Sequence, residues 1–262
     1  MIARRLPRPR GLTLLAAGAL ALTSGVLVAS TSRPAEVDVA VDPTSLTKPL
    51  NESWPTYSGD YTGRRFSALT QINQRTVKQL TLAWVRRLVT GPGSLAAARP
   101  AAGAPPAVPL APVIIGGHGP AGAGVNAAAI VKGTTLAVDG VLYVTAPDHV
   151  WAIDARDGRE MWRYFWKTRG GTHVGNRGAA LWRDSLLFET PDNYLVSIDA
   201  RTGKERWNVE IADFDEQYFS TPAPIVVDNH VLVGTGNDLD MPGFLQSYNA
   251  ETGALEWKLY TV

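Results

Sequence analysis

Apolar and polar positions divide the 262-residue chain into stretches of different character. Gly11 to Ser30 carries no charged side chain. Residues 91–129 are dominated by Ala, Gly and Pro, with no helical or strand period. Glycine adds backbone freedom and proline removes ladder donors, so this stretch reads as a disordered or polyproline-like surface insertion. Beyond residue 130, short apolar runs of strand length return at Val141–Ala146, Ser185–Glu189 and Ile225–Val233. Each run precedes one copy of a pattern. Ala152-Ile153-Asp154-Ala155-Arg156-Asp157-Gly158 leads to Trp162, Ser197-Ile198-Asp199-Ala200-Arg201-Thr202-Gly203 to Trp207, and Ser247-Tyr248-Asn249-Ala250-Glu251-Thr252-Gly253 to Trp257. Each copy predicts a hairpin: a short strand, an Asp/Asn-x-x-x-Gly turn, and a strand reaching the Trp. The tryptophans lie 45 and 50 residues apart, the period of a β-propeller blade. A large ring at a fixed place in every blade is expected to pack between adjacent sheets, burying about 150–250 Å². Helical period never persists beyond a turn or two; Leu69–Leu82 hints only at a short helical or extended lead-in.

The expected fold is therefore all-β, with three blade repeats over 130–262. Residues 31–90 read as a lead-in carrying the first propeller strand or strands, 91–129 as the insertion, and 1–30 as a targeting segment. That last segment starts with Arg4, Arg5, Arg8 and Arg10 and ends in the small residues Val28-Ala29-Ser30. A basic start and an apolar stretch describe a secretory signal peptide, and twenty residues are also just enough for an uncleaved anchor. Either reading makes the body an exported, periplasmic-type protein, in contact with a membrane only through an uncleaved N-terminus.

Charge narrows the function. The formal net charge of +1 includes those four arginines, which leave 21 basic against 24 acidic residues in the body. A near-neutral body lacks the basic stripe that nucleic acid requires. There is no cysteine, which excludes disulfide scaffolds, Cys-ligated zinc and iron–sulfur clusters. His118, His149, His173 and His230 show no metal-ligand spacing.

The repeat A-x-D-x-x-T-G-x-x-x-W resembles the tryptophan-docking motif of quinoprotein β-propellers, the pyrroloquinoline quinone (PQQ) family. Trp54-Pro55-Thr56-Tyr57-Ser58-Gly59-Asp60, then Gly63-Arg64-Arg65-Phe66-Ser67 and Gln71-Ile72-Asn73, is similar to the opening of PQQ-dependent alcohol dehydrogenases. Asp139-Gly140-Val141-Leu142-Tyr143-Val144, Asn176-Arg177-Gly178 and Tyr260-Thr261-Val262 fit the same family. The resemblance covers residues 50–90 and 130–262. It implies an eight-bladed propeller, of which three to four blades are present here as an N-terminal part.

The same resemblance implies PQQ on the axis, a calcium or lanthanide ion against it, a small alcohol as substrate and a cytochrome c-type electron acceptor. Arg177 falls on the family's cofactor-contacting arginine, and a guanidinium fork suits carboxylates and quinone oxygens. Thr221, in Thr221-Pro222-Ala223-Pro224, matches a cofactor-contacting threonine. Thr235 and Gly236, in Gly234-Thr235-Gly236-Asn237-Asp238, fall where a hydroxyl binds a PQQ carboxylate. Asp238 takes the place of a glutamate metal ligand, and carboxylate oxygens suit hard cations. Turn chemistry alone also accounts for Thr and Gly at blade ends, and a solvated turn accounts for Asp238.

Two departures stand out. Gly171-Thr172 replaces two adjacent cysteines over the cofactor, with His173 beside them either covering that face or lying exposed in its loop, and Lys132 stands where an acidic contact is usual. The family's remaining metal ligands and catalytic base fall beyond residue 262, so no catalytic base is assigned, and the chain alone is expected to be inactive. The leading reading is an exported PQQ-dependent alcohol dehydrogenase. The alternatives are a non-catalytic propeller acting as an envelope assembly scaffold, and an inactive truncated pseudo-enzyme.

Overall fold

A computed structural model describes residues 39–50, 52–90, 131–171 and 173–261. The segments read as a targeting sequence and as the Ala/Gly/Pro insertion lie outside the described residues. Among the described residues, twelve strands form three antiparallel four-stranded sheets in simple chain order. The first sheet holds β1 (Leu136–Val138), β2 (Val141–Ala146), β3 (His149–Asp154) and β4 (Glu160–Phe165). The second holds β5 (Ala179–Trp182), β6 (Ser185–Glu189), β7 (Tyr194–Asp199) and β8 (Glu205–Glu210). The third holds β9 (Ile225–Val227), β10 (His230–Thr235), β11 (Phe244–Asn249) and β12 (Leu255–Tyr260). These are the blades the repeat predicts. The apolar run Ile225–Val233 is not one strand, because Asp228, at a φ of 52°, turns the chain between β9 and β10.

The repeat's polar positions build the turn after the third strand of each blade. Asp154, Asp199 and Asn249 each accept the backbone N–H two residues on, at 3.0, 3.0 and 3.1 Å. Their carbonyls accept the glycine N–H four residues on, at 2.8–2.9 Å. These side-chain bonds imitate a backbone turn, which is why Asp and Asn occupy the position.

Gly158, Gly203 and Gly253 close the three turns with φ of 72–74°, a region that costs other residues steric strain. Space demands glycine as well. A Cβ on Gly158 would lie 2.5 Å from the Trp84 ring, on Gly203 2.7 Å from Trp162, and on Gly253 2.7 Å from Trp207. Each indole therefore lies flat on the turn of the following blade. Trp84 and Trp162 also donate their Nε1 hydrogens to the carbonyls of Ala155 and Ala200, both at 3.0 Å.

Trp84 thus docks the lead-in onto the first blade, outside the 45- to 50-residue repeat because residues 91–129 separate it from Trp162. Within 39–90 the described residues form isolated bridges rather than strands, Trp54 with Ala137 and Val41 with Arg183, plus 3-10 turns at Pro43–Thr47 and Val77–Gln79. Leu69, Val77, Leu80 and Leu82 are all exposed.

Sheets covered on both faces read as continuous apolar runs, and sheets covered on one face alternate. Every residue of β3, β5 and β6 is buried, whereas β10 alternates and β12 is exposed throughout. The first core joins the first two blades and Val39, Val41 and Leu46; the second joins the second and third blades. Trp257 differs from its two counterparts: it is 43% exposed, because no following turn covers it among the described residues. No helix among the described residues is long and apolar enough to cross a membrane.

Two expectations follow. Trp162→Ala should lower the unfolding free energy by about 2–4 kcal/mol, below a fully buried tryptophan because the ring is only partly covered. Trp257→Ala should change it by less than about 0.5 kcal/mol, the value for an exposed site; urea midpoints of the two variants check the contrast. The second concerns acid. Burial raises the Asp199 carboxyl, but the Arg206 fork and Thr202 outweigh it and hold it at about 2. A lowered value stabilises the fold above the ordinary carboxylate range, and that stabilisation is lost as pH falls towards 2. Asp199→Asn should therefore be less stable than the wild type at pH 7, with the difference vanishing near pH 2 in denaturant titrations.

Candidate functional site

The segments that feed the first strand of each blade are bonded to one another in series. Thr134 N–H donates to the Arg177 carbonyl, and Arg177 N–H donates to the Thr221 carbonyl, both at 3.0 Å. The last strands β4, β8 and β12 hold no buried residue, so the blades converge where these segments meet. Gly133 makes the approach possible. A Cβ there would lie 2.7 Å from Thr145 Oγ1, 2.8 Å from Gly178 N and 2.9 Å from the Arg177 carbonyl carbon.

Two cavities open at this convergence. The first, about 310 Å³, is lined by Lys132, His173, Gly175, Asn176, Arg177, Phe219 and Thr221. The second, about 390 Å³, shares Phe219 and Thr221 and continues to Thr235 and Gly236. Phe219 and Gly236 exchange backbone hydrogen bonds of 2.9 and 3.0 Å, which fixes the wall between them. Arg177, Thr221, Thr235 and Gly236 therefore come together around one concave surface. Asp238, on the loop between β10 and β11, reaches it through His173, whose Nε2 meets the Asp238 carboxylate. His173 is half-buried rather than exposed, with its ring 4.3 Å from that of Phe219.

Lys132 and the Arg177 guanidinium bring two cationic groups to one cavity, and His173 there is bonded to the Asp238 carboxylate. Such a lining favours an anion. Thr235 gives a second, independent sign: its side chain is buried, and its Oγ1 has no hydrogen-bond partner in the structure. Buried hydroxyls without partners are costly and uncommon, so this one is suited to a ligand oxygen. The cation side is weaker. Among the described residues no three His, Cys, Asp or Glu side chains gather to hold a metal ion, and Asp238 supplies one carboxylate where calcium takes six to eight oxygens.

Phe219, Ser220, Asn176 and Glu189 complete the site, and spacing alone does not single them out. Phe219 and Ser220 are adjacent to Thr221, and Asn176 to Arg177. Glu189 carried a different signal: it is the one acidic residue in the otherwise apolar run Ser185–Glu189.

A family model described as "Glucose/ethanol/alcohol dehydrogenase, beta-propeller domain", of the PQQ type, matches residues 54–262. The chain is 32% identical over 257 residues to the quinohemoprotein alcohol dehydrogenase ADH-IIG of Pseudomonas putida, covering 95% of this chain and 30% of that protein. The crystal structure of the quinohemoprotein alcohol dehydrogenase from Comamonas testosteroni superposes with a TM-score of 0.64 at 28% identity, covering 87% of this chain and 30% of that one. A europium-containing methanol dehydrogenase superposes at 0.58 and 25% identity, covering 80% and 32%. The chain thus spans about a third of the length of these relatives.

Replacing Thr235 by Val removes the partnerless hydroxyl at constant shape. The ligand-free protein is expected to be as stable or about 1 kcal/mol more stable. Chemical denaturation checks this, and a loss above about 1 kcal/mol would show that the hydroxyl already has a partner.

Proposed function

Because the chain belongs to the PQQ-dependent glucose/ethanol/alcohol dehydrogenase β-propeller family, we propose that its two joined cavities bind PQQ as the cofactor side of an exported quinoprotein alcohol dehydrogenase. The observation that carries the proposal is the pairing of Arg177 and Lys132 with the partnerless, buried hydroxyl of Thr235 across Thr221. PQQ is a planar quinone with three carboxylates. Arg177 would hold carboxylate or quinone oxygens with a rigid fork of donors, Lys132 would add a point charge, and the Thr221 and Thr235 hydroxyls would each give one hydrogen bond. Gly236 keeps its wall thin, since a Cβ there would lie 3.1 Å from the Phe219 ring.

Bound in this way, the cofactor would supply two-electron oxidising capacity towards an alcohol, with Arg177, Lys132, Thr221 and Thr235 holding it. The chain's own residues fix the cofactor's orientation, and Phe219 and His173 keep water from part of its surface. Asp238 would give one oxygen to a calcium or lanthanide ion, once released from His173. One carboxylate does not complete a metal shell. The names of the relatives support an alcohol as substrate and a haem-type electron acceptor, a cytochrome c in this reading. The Arg-rich start followed by an uncharged stretch supports export to the periplasm.

Titrating the purified chain with PQQ, and following quenching of its eight tryptophans, tests the proposal. The wild type should bind, and Arg177→Met should lose about 10–100-fold in affinity, the loss of a charge-assisted pair worth roughly 1.5–3 kcal/mol. Equal affinity in the two proteins would overturn the placement of the cofactor.

A further inference from the structure

Glu189 ends β6 with its side chain completely buried, and no role in ligand contact falls to it. Its carboxyl meets the Ser220 hydroxyl across the boundary between the second and third blades. Ser220 Oγ also lies 2.8 Å from the Gly234 carbonyl, which can only accept. A hydroxyl has one proton to give. If Ser220 spends it on Gly234, the proton between Ser220 and Glu189 must come from the carboxyl. Glu189 is then a neutral acid: its Oε2–H donates to Ser220, which donates to Gly234. Burial agrees, since it raises the Glu189 carboxyl well above the ordinary range. The other carboxyl oxygen, Oε1, has no partner in the structure.

The backbone of the same residue serves the opposite wall. The Glu189 carbonyl accepts the Asn176 side-chain amide at 3.1 Å, and Asn176 Oδ1 accepts the Gly178 N–H at 2.9 Å. Arg177 is held between those two bonds. Ser220 is directly followed by Thr221, whose carbonyl accepts the Arg177 N–H at 3.0 Å. One residue outside both cavities is therefore tied to each segment that lines them.

We propose that Glu189 is a positioning residue: its side chain holds Ser220 and so Thr221, whose carbonyl in turn accepts the Arg177 N–H, in the arrangement that receives the ligand. This deepens the cofactor reading and rests on it only for the ligand's identity. The device depends on pH. Ser220 and Asn176, which pack against Glu189, do not ionise. Tyr248 on β11 is the titratable group that feels it, its phenol raised first by burial and then by Glu189. A raised carboxyl stabilises the arrangement at pH below the ordinary glutamate value near 4.5, and that stabilisation is progressively lost as pH rises.

Hydrogen exchange in the full chain, read peptide by peptide, tests this without any cofactor. Glu189→Ala should speed exchange at least tenfold over residues 175–178 and 219–222, with β3 and β7 still protected. Ser220→Ala should loosen the same two segments with β6 intact. Glu189→Gln, which keeps a neutral donor, should restore protection. Between pH 6 and pH 9, after correction for intrinsic rates, the wild type should loosen there relative to Glu189→Gln. Three outcomes would overturn the proposal: unchanged protection in Glu189→Ala, uniform loosening of all three sheets, or Glu189→Gln matching Glu189→Ala. Failure of the wild type to bind PQQ would overturn the cofactor reading instead, and leaves the exchange result to decide the role of Glu189.

Discussion

The contact on which the rest of the structure depends is an indole lying flat on a glycine turn. It recurs three times, with Trp84 on Gly158, Trp162 on Gly203 and Trp207 on Gly253. Glycine is needed there for two reasons that coincide: the turn requires a positive φ, and the ring occupies the space of a Cβ. The contact sets how closely adjacent sheets approach at their outer ends. Interiors pack at crystal-like density, so fixing the outer ends also fixes where the inner strands converge. The backbone bonds that run from Thr134 to Arg177 to Thr221 follow from that convergence.

The convergence collects polar groups at a cost in stability. Thr145 Oγ1, Thr235 Oγ1 and Glu189 Oε1 all lie buried without partners near the same end of the blades. A structure selected for stability alone would place apolar side chains at such positions. Such violations are expected at functional sites, and Thr235 lines the second cavity; Trp151, Ser197 and Gln246, within β3, β7 and β11, also hold buried atoms without partners.

The third blade shows what its neighbours contribute. β10 alternates between buried and exposed residues, and β12 leaves Leu255, Trp257, Leu259 and Tyr260 exposed. Their equivalents in the second blade are no more apolar in sequence. The difference lies in coverage, since the second blade has a sheet on each side.

The sequence by itself determined the blades. An Asp or Asn, a glycine four residues on and a tryptophan four residues beyond that describe a local turn and hairpin, and local geometry can be read from neighbouring residues. It also marked Arg177, Thr221, Thr235, Gly236 and Asp238, through their similarity to a family pattern rather than through any physical spacing. Trp84 stayed hidden because its partner Gly158 lies beyond a long insertion. Tertiary structure alone decided that His173 holds Asp238, that Thr235 lacks a partner, and that Glu189 reaches Ser220 from another blade. Those facts depend on distances between segments about 30 to 65 residues apart. Charge, burial and a missing hydrogen bond are properties of the space between blades, and a chain acquires that space only on folding.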